Sequence, residues 1–540
     1  MKILLTTPLF GDFPIRDPMF PLGITYIAGV IEREGHSVRI LDNYLEKNNE
    51  DDFVKIIEDF KPSIIGITCN VDNRFEAFAL SGIIKEFSED IMVILGGPFP
   101  SVCHKEIIED IKSVDIVVRE EGEYTLLDII NCLENRKPLD DIAGITYRIK
   151  DEAKVNQPRP FIQNLDALPF PAFHLLKIKE YPSYMAEFKD SFLDKTNIDA
   201  AYTASLIFGR GCPYNCLFCS SKELWRRTFR ILSPENAVRQ IEYFIEKGIT
   251  AFAFWDDHLL LDRRWFNDFV QRIKEKKLQF IFKCLGRVDS IDEETAGKLR
   301  EIGCKMVYLG IENGSQDILD LINKGVTVAQ IENSVKLLHE NGILATGGSL
   351  VNAPGETREN ILENLEFFKK LEQTYSRGQG KPKGIMMFKP ANIIIFPGTD
   401  LEKIAVKKGR LVNFRWTNDY YEKRNLLMDS SPYTPLYENV AIEKLIEYLI
   451  SAALKIRYYT FLAEITWNQI IYGGICSGSV DKNYKRKFYI SKIFYFISRA
   501  PFKDKVGYIY TILSHVVFPK VKNKLIRGIK KDAIYALHKA

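Results

Sequence analysis

The sequence predicts an α/β protein with two successive α/β domains and a helical C-terminal region. Short apolar runs alternate with amphipathic helical stretches up to about residue 145, the alternation resumes near residue 204, and helical patterns replace it after about residue 400. A chain of 540 residues is also longer than one hydrophobic core usually organises. The expected domains are 1–145, 196–400 and 401–540, with a proline-rich linker at 146–195.

The first domain is expected to be a doubly wound, Rossmann- or flavodoxin-like parallel sheet. Its candidate strands are continuous apolar runs, which are typical of strands buried on both faces. The strands are expected at 2–9, 37–43, 63–70, 91–98 and 114–120, with helices that include 22–35 and 74–87.

Ligands of such sheets bind at the carboxyl ends of the strands. Pro8, Thr68, Gly96 and Gly97 are found at these ends and are the candidate cofactor-binding residues of the first domain. The two glycines are equally explained by a tight turn from strand to helix.

The second alternation predicts six strands, enough for a partial (β/α)6 barrel. The first strand is expected to begin near 204, and the other five are expected at 251–257, 280–286, 306–312, 345–353 and 384–396. Barrels of this kind place their chemistry at the C-terminal ends of the strands. A cysteine-rich loop directly follows the first of these strands and is therefore expected at the barrel mouth.

Composition and charge exclude several classes of protein. Hydrophobic residues make up 46% and charged residues 27%, as in ordinary globular proteins. The N-terminus lacks the features of a secretory signal and no apolar run reaches the length of a membrane span, so a cytoplasmic location with reduced thiols is expected.

The C-terminal tail is basic, with fifteen Lys or Arg and two Asp in residues 482–540. Peripheral contact with an anionic membrane explains this charge, and a solvated basic surface explains it as well. A nucleic-acid partner is not expected.

Three of the nine cysteines, Cys212, Cys216 and Cys219, lie in the segment GRGCPYNCLFCSS (209–221). Thiolates are soft ligands, so this spacing indicates zinc or an iron–sulfur cluster. A closed zinc site takes four ligands, commonly from two C-x2-C pairs, and no second pair is present. A cubane of four irons held by three cysteines leaves one iron open to a small molecule.

The C-x3-C-x2-C spacing, with Phe218 before the last cysteine, resembles the signature of radical S-adenosylmethionine (radical SAM) enzymes. Four later segments agree with this family in order: YLGIENGS (308–315), INKGVT (322–327), GGSLVNAPGETREN (347–360) and FPGTDL (396–401). The resemblance covers about residues 200–400. It implies a 4Fe–4S cluster held by the three cysteines, cleavage of S-adenosylmethionine to a 5′-deoxyadenosyl radical, and contacts from Phe218 and Glu312 to that cofactor. The Gly-Gly-Glu-Pro run that often binds the methionine amine in this family is absent.

The first domain resembles the cobalamin-binding domain of one radical SAM subfamily, often called class B. The segments that carry the resemblance are FPLGITYIAGVIEREGHSVRILD (20–42), GGPFPS (96–101) and DIVVREEGE (115–123). The D-x-H-x-x-G run that supplies a histidine to cobalt in other cobalamin domains is absent, and Phe99 stands where many members have histidine. The domain therefore binds cobalamin without a histidine, or it has kept the fold alone.

The resemblance implies cobalamin-dependent methylation of an unactivated carbon. The alternative is radical cyclisation or rearrangement, as in relatives of the anaerobic magnesium-protoporphyrin ester cyclases. Asp256, Asp257 and Tyr308 are the candidate catalytic residues, because they lie with His258 at predicted strand ends in the barrel mouth. The aspartates are equally explained by backbone hydrogen bonds or a helix cap, and the tyrosine by packing.

Other function classes were weighed against this one. A nicotinamide-dependent oxidoreductase is disfavoured because no G-x-G-x-x-G follows the first strand. A non-catalytic iron–sulfur protein remains an alternative. The expected partners are a small-molecule or lipid substrate and an electron donor of the flavodoxin or ferredoxin type.

Overall fold

A computed structural model describes residues 1–9, 18–150, 152–183, 201–351, 353–375, 389–408, 411 and 414–418. The chain divides into two compact units. The first comprises Met1–Gly348, Leu362–Met387 and Ile394–Tyr421, and the second Ser349–Ile361, Phe388–Ile393 and Glu422–Ala540. The expected helical C-terminal domain beyond residue 418, with its basic tail, lies outside the described residues.

The N-terminal part of the first unit contains a seven-stranded sheet. Its strands are β1 (Lys2–Thr6), β2 (Ser37–Leu41), β3 (Ile64–Thr68), β4 (Met92–Gly96), β5 (Ile116–Val118), β6 (Ile145–Ile149) and β7 (Glu152–Val155). They lie in the order β2-β1-β3-β4-β5-β6-β7, and β1 to β5 pair in parallel. This is the flavodoxin-like order, with a reversal between β1 and β3 that leaves a crevice at the carboxyl edge. The predicted doubly wound domain is confirmed.

The helices of this part follow the predicted pattern. They are α1 (Leu22–Arg33), α2 (Asn43–Glu46), α3 (Glu50–Phe60), α4 (Arg74–Phe87), α5 (Pro98–Asp110) and α6 (Glu123–Glu134). The helix α3 begins with a capping box, in which the Asn49 side chain accepts from the Asp52 N–H and the Asp52 side chain accepts from the Asn49 N–H. The bounds of α4 are those predicted from the sequence.

The sheet continues into the stretch that was expected to be a linker. The strands β6 and β7 form an antiparallel hairpin, and β6 also pairs antiparallel with β5. After the hairpin, the chain continues through 3-10 turns at Leu165–Ala167 and Phe173–Leu175. Phe173 packs edge-on against Phe244 with ring centroids 4.8 Å apart, so this stretch is packed against the second half of the same unit.

The second sheet has six strands in the order β15-β14-β13-β12-β11-β8. The strands are β8 (Ala204–Leu206), β11 (Ala251–Phe254), β12 (Ile281–Gly286), β13 (Cys304–Glu312), β14 (Leu344–Val351) and β15 (Lys389–Asn392). The pairs β8–β11, β11–β12 and β12–β13 are parallel. The six predicted strands are therefore found in chain order, as a partial barrel requires.

Helices separate these strands, and a small hairpin interrupts them. The helices are α7 (Ser221–Trp225), α8 (Pro234–Glu246), α9 (Arg263–Glu275), α10 (Glu293–Glu301), α11 (Gln316–Leu321), α12 (Val328–Glu340), α13 (Arg358–Tyr375) and α14 (Asp400–Lys407). The hairpin consists of β9 (Gly209–Arg210) and β10 (Arg230–Ile231), which pair antiparallel. Its two strands flank the cysteine loop, with β9 before Cys212 and β10 after Cys219.

An aromatic core supports the second sheet beneath this hairpin. Phe254 stacks on Phe282 with centroids 4.7 Å apart and contacts Phe208 at 5.0 Å. All three rings are at most 1% exposed, so the strand ends that lead into the cysteine loop rest on a packed base. None of the described helices is long and apolar enough to cross a lipid bilayer.

The described part of the second unit is small. Within it, the Ile393 N–H donates to the Val351 carbonyl at 2.8 Å, which extends the pairing of β15 with the end of β14. Thr357 and Asn360 hydrogen-bond each other at the start of α13, where the Thr357 N–H donates to Asn360 Oδ1 at 3.0 Å.

Candidate functional site

The cysteine loop begins at a position that only glycine can occupy. Gly211 has a φ of +90°, and a Cβ on it would lie 2.3 Å from the Thr228 carbonyl oxygen. The backbone of β9 thus passes directly against the turn before β10. Cys212, Cys216 and Cys219 follow, of which Cys216 is 7% exposed and the other two are half-buried.

The segment INKGVT fixes the middle of the loop. The Leu217 N–H donates to the Ile322 carbonyl at 2.9 Å, and Asn323 Nδ2 donates to the Asn215 carbonyl at 2.7 Å. Lys222 Nζ donates to Asn215 Oδ1 at 3.1 Å from the opposite side. These hydrogen bonds fix the position of the loop that connects β9 to the five-residue helix α7.

The three thiols influence one another and are poorly solvated. Burial raises the pKa of the Cys219 thiol to about 12, and the neighbouring Asp257, Cys216 and Cys212 add to the rise. Burial also raises the pKa of Cys212, which Arg287 partly offsets. Thiolates in such surroundings need positive charge close by, and a metal centre supplies it.

The donor set fits an iron–sulfur cluster. In the part of the chain that the structure describes, no three or more His, Cys, Asp or Glu side chains are placed to hold a single metal ion. Each thiolate of a cubane binds a different iron, so the three sulfurs need not converge on one point. Cationic Arg287 lies against Cys216, and its charge favours the thiolate form of Cys212.

Glu312 ends β13 and is held in an unusual conformation. Its φ is +65°, in the left-handed region, which turns the chain at the strand end. Lys324 Nζ donates to Glu312 Oε1 at 2.6 Å, and Lys324 is only 6% exposed. Gly310 lies on the same strand face, where a Cβ would be 2.5 Å from Lys324 Nζ, so the ion pair lies directly over the strand backbone at this position. Tyr308 is on that face too and is 45% exposed.

Asp256 and Asp257 follow β11 but point to different partners. Asp256 Oδ1 accepts from the Phe208 and Gly209 N–H groups at 2.9 and 2.5 Å, whereas its Oδ2 is buried without a hydrogen-bond partner. Burial raises the pKa of Asp256 to about 7. Ser221 Oγ donates to Asp257 Oδ2 at 2.7 Å at the start of α7. Both carboxylates therefore support the two ends of the cysteine loop, and the backbone-binding interpretation of Asp256 fits its geometry.

His258 completes the FWDDHLL segment and is fully buried. Its Nε2 lies 3.1 Å from Ser290 Oγ, and its ring stacks on Tyr214 at 5.8 Å. Burial lowers the pKa of His258 to about 4, and the Arg287 charge contributes to the decrease. The imidazole is consequently neutral in the folded chain at physiological pH.

The candidate residues of the first domain lie together at its carboxyl edge. Pro8 is buried just after β1, Thr68 ends β3 half-buried, and Gly96 ends β4. Gly97 has a φ of +110°, and a Cβ on it would lie 2.7 Å from the Cys69 carbonyl oxygen, so the turn itself requires glycine. Gly96 faces open space, because the nearest atom to a Cβ on it would be the Val118 oxygen at 3.9 Å.

Polar side chains at the same edge were not singled out from the sequence. Asp42 accepts from Tyr181 Oη at 2.7 Å and from Thr7 Oγ1 at 3.2 Å. Burial raises the pKa of Asp42, although these hydrogen bonds counteract it. Asn43 Nδ2 donates to Thr6 Oγ1 at 2.9 Å and to the Thr7 carbonyl at 2.7 Å. The hydrogen-bond partners lie up to 139 residues apart in the sequence, so no local sequence pattern predicts this network.

A buried ionic cluster, here called the clamp, joins the first domain to the cysteine loop. It consists of Glu121 and Glu123 from the segment DIVVREEGE, and Arg210 and Arg230 from the β9–β10 hairpin. Arg210 donates to Glu121 and Glu123 at 2.6 and 2.5 Å, and Arg230 donates to Glu121 at 2.8 Å. Burial alone would lower the pKa of the Arg210 guanidinium, but Glu123 and Glu121 raise it. Sequence reasoning missed the clamp, although three of its four residues lie in the segments DIVVREEGE and GRGCPYNCLFCSS, which were singled out for other reasons.

Comparison with known proteins identifies the family. Residues 206–368 match the radical SAM superfamily, and residues 14–130 match the B12 binding domain. An uncharacterized methyltransferase from Pyrococcus horikoshii is 32% identical over 397 residues, which cover 73% of this chain and 80% of that protein. The chain belongs to the cobalamin-dependent radical SAM family. The predicted family is confirmed, and with it the enzyme class and the cofactors: a 4Fe–4S cluster, S-adenosylmethionine and cobalamin.

Other relatives show which reactions this radical SAM family includes. Cytidylyl-2-hydroxyethylphosphonate methyltransferase from Streptomyces wedmorensis is 25% identical, over 67% of this chain and 75% of that protein. Anaerobic magnesium-protoporphyrin IX monomethyl ester cyclase from Rubrivivax gelatinosus is 28% identical, over 68% of this chain and 65% of that protein. The family thus contains both methyltransferases and cyclases.

Solved structures share the fold of this radical SAM protein. The cobalamin-dependent S-adenosylmethionine radical enzyme OxsB, with aqua-cobalamin and S-adenosylmethionine bound, has a TM-score of 0.65 at 19% identity and covers 100% of this chain and 82% of its own. The methyltransferase TsrM from Kitasatospora setae, with cobalamin and a 4Fe–4S cluster bound, has a TM-score of 0.59 at 18% identity and 75% coverage of both chains. The predicted fold class is confirmed.

Proposed function

We propose that this radical SAM enzyme methylates an unactivated carbon of a small-molecule substrate, with cobalamin as the methyl carrier. The observation that carries the proposal is the clamp, which ties the B12-binding domain to the strand that leads into Cys212. A methyl donor has to lie beside the place where the substrate radical forms, and the clamp couples these two parts of the chain through buried charges. Methyltransferases among the relatives support the same reaction.

The cofactors supply the difficult chemistry: the cluster with S-adenosylmethionine gives a 5′-deoxyadenosyl radical, and cobalamin carries the methyl group. In this proposal, Cys212, Cys216 and Cys219 would hold the cluster, which would leave a coordination position for S-adenosylmethionine. Phe218 and Glu312 would contact that cofactor, with the Glu312 carboxylate held by Lys324 Nζ. The buried aromatic base of the loop would help to exclude water from the site.

In the first domain, Pro8, Thr68, Gly96 and Gly97 form the proposed contact surface for cobalamin. Neither histidine of this domain is placed to coordinate cobalt there. His36 precedes β2 at the opposite edge of the sheet, and His104 Nδ1 lies 2.9 Å from Thr146 Oγ1. Phe99 is 2% exposed and packs against Phe78. We therefore propose that the domain holds the corrin through backbone, hydroxyl and apolar contacts.

Asp256 is proposed to act chiefly by positioning the cysteine loop, because its carboxylate accepts two backbone N–H groups. Asp257 and Tyr308 remain candidates for contact with the substrate. Tyr308 is the more favourable of the two, since it is half exposed on the face of β13 that carries Glu312. The substrate and the electron donor, of flavodoxin or ferredoxin type, come from outside the chain.

Anaerobic reconstitution with iron, sulfide and hydroxocobalamin tests the proposal. We expect about four irons and about one cobalt per chain. Reduction in the presence of S-adenosylmethionine is expected to give 5′-deoxyadenosine together with S-adenosylhomocysteine, the product left when S-adenosylmethionine has methylated the corrin. Four irons and 5′-deoxyadenosine without retained cobalt would instead favour cyclisation or rearrangement. Iron without either product would favour a non-catalytic iron–sulfur protein.

A further inference from the structure

Arg287 lies directly against one of the cluster cysteines and has no role in the reaction proposed above. It follows the last residue of β12 and is only 5% exposed. Its Nη1 is 3.9 Å from Cys216 Sγ, within hydrogen-bonding distance for a sulfur acceptor.

Nε and Nη2 of Arg287 have partners that fix the plane of the guanidinium. Nε and Nη2 donate to the two oxygens of Asp289 at 3.1 and 3.0 Å, and Nη2 also donates to the Lys324 carbonyl at 2.9 Å. The guanidinium carbon lies 3.5 Å from the centroid of the Tyr214 ring. Held on these sides, Nη1 has little freedom to turn away from the sulfur.

The fold alone does not require this arrangement. Burying a guanidinium has a substantial desolvation cost, and apolar residues of similar size often replace buried ion pairs without loss of stability. Asp289 is itself 21% exposed, so its carboxylate does not need a buried partner. The specific feature that arginine adds is a fixed cationic N–H directed at Cys216 Sγ.

Hydrogen bonds to cluster sulfurs and the local net charge set the reduction potential of iron–sulfur centres. Reduction adds one negative charge to the cluster, and part of that charge resides on the sulfurs. A cationic N–H donor stabilises the reduced state more than the oxidised state, and so raises the potential.

We propose that Arg287 is a positioning and tuning residue that raises the reduction potential of the cluster through its hydrogen bond to Cys216 Sγ. The inference rests on the proposed role of Cys212, Cys216 and Cys219 as cluster ligands. By raising the potential, Arg287 makes the cluster easier for an external donor to reduce. A larger fraction of the enzyme is then ready to cleave S-adenosylmethionine.

The test is an anaerobic redox titration of the reconstituted full chain, followed by the EPR signal of the reduced cluster. Three variants are compared with the wild type: Arg287→Met removes both charge and donor, Arg287→Lys keeps the charge without the planar fork, and Arg272→Gln removes a charge from the outer surface of α9. For Arg287→Met we expect the ratio of reduced to oxidised cluster, measured at the wild-type midpoint potential, to be at least tenfold lower. This corresponds to a midpoint potential that is lower by about 59 mV for a one-electron couple. Arg287→Lys is expected to shift in the same direction by less, and Arg272→Gln not at all.

A second measurement does not depend on any variant retaining its fold. Wild-type protein grown with arginine labelled by 15N in the guanidinium group is reduced and examined by pulsed EPR. A weak 15N coupling to the reduced cluster is expected, and its absence would overturn the hydrogen bond. Iron, sulfide and spin counts are determined first: a wild type without a 4Fe–4S cluster overturns this inference and the proposed function together. A full cluster whose potential is the same in all variants overturns the role of Arg287 alone.

Discussion

The carboxyl edges of the two sheets of this radical SAM enzyme differ in character around the proposed cofactor sites. The carboxyl edge of the second sheet is ionic: Arg287 lies against Cys216 and pairs with Asp289, and Lys324 pairs with Glu312 at the end of β13. At the corresponding edge of the first sheet, hydroxyl and amide groups of Thr6, Thr7 and Asn43 predominate beside β1 and β2, whereas the clamp carboxylates lie beyond β5. The architecture is shared, so the side chains at the strand ends, not the fold, decide which cofactor each edge suits.

The contrast has a physical basis in the charge of the two ligands. A cluster held by thiolates is anionic and gains from nearby cations and directed N–H donors. A corrin presents amide side chains and a broad apolar face, which hydroxyls, backbone and glycine turns accommodate. Burial raises the pKa of Asp42, the one acidic group of this network, and its hydrogen bonds to Tyr181 and Thr7 counteract the rise.

The largest expected effect is a difference in iron content and activity between a cysteine variant at the second sheet and one at the first. Cys216→Ala should lower the iron content well below four per chain and abolish 5′-deoxyadenosine formation, because a cluster ligand is lost. Cys69→Ala is the matched control, since Cys69 is a fully buried thiol at the edge of the first sheet. It should keep its iron and its activity. Iron analysis and product assays check both, and equal losses from the two variants would contradict the assignment of the ligands.

The next effect concerns the clamp that connects the two edges. Glu121→Ala leaves Arg210 and Arg230 buried beside an incomplete set of carboxylates and should lower the free energy of unfolding by about 3–5 kcal/mol. Arg226→Gln breaks the neighbouring pair with Glu120, in which the arginine side chain is 49% exposed, and should cost at most about 1 kcal/mol. Urea unfolding of the two variants gives the comparison. Similar values for both would show that the clamp is no stronger than a surface ion pair.

Much of this architecture follows from the sequence because its strands carry strong local signals. Continuous apolar runs predicted β1 to β5 and the strands of the second sheet, and the helical period predicted α4 to the residue. The two-residue strands β9 and β10 are too short for any periodic signal, and β6–β7 lay in a stretch whose prolines and polar residues indicated a linker. The three cysteines were recognisable from spacing within eight positions, whereas the clamp joins residues about 90 positions apart and needed the fold to bring them together.

A smaller effect should appear as a pH dependence at the ionic edge. Burial raises the pKa of Asp256 to about 7 from 3.8, so the folded chain binds a proton there that the unfolded chain has released. Stability contributed by this group is present below about pH 4 and is lost as the pH rises to about 7. Asp256→Asn keeps an oxygen acceptor for the Phe208 and Gly209 N–H groups without the charge, and should be more stable than wild type by about 2–4 kcal/mol above pH 7.

The same variant distinguishes positioning from acid–base catalysis. If Asp256 only holds the loop, Asp256→Asn should retain most of the 5′-deoxyadenosine formation and methyl transfer across the pH range. A loss of more than a hundredfold in turnover, with iron and cobalt contents unchanged, would contradict the positioning role. Urea unfolding at pH 4, 6 and 8 provides the stability side of the comparison, and the gain should disappear at the lowest of these.

The smallest effect tests the neutral edge with two adjacent glycines. Gly97→Ala should cost about 1–3 kcal/mol, because it combines a φ of +110° with a contact of 2.7 Å to the Cys69 carbonyl oxygen. Gly96→Ala should change the free energy of unfolding by less than about 0.5 kcal/mol, since its Cβ would meet nothing closer than 3.9 Å. If the corrin lies on this edge, the methyl group added at Gly96 occupies part of its contact surface, and the cobalt retained per chain should fall although stability does not. Unchanged cobalt in Gly96→Ala would place the corrin elsewhere. The turn at Gly97 would then be explained by the close approach of Cys69 alone.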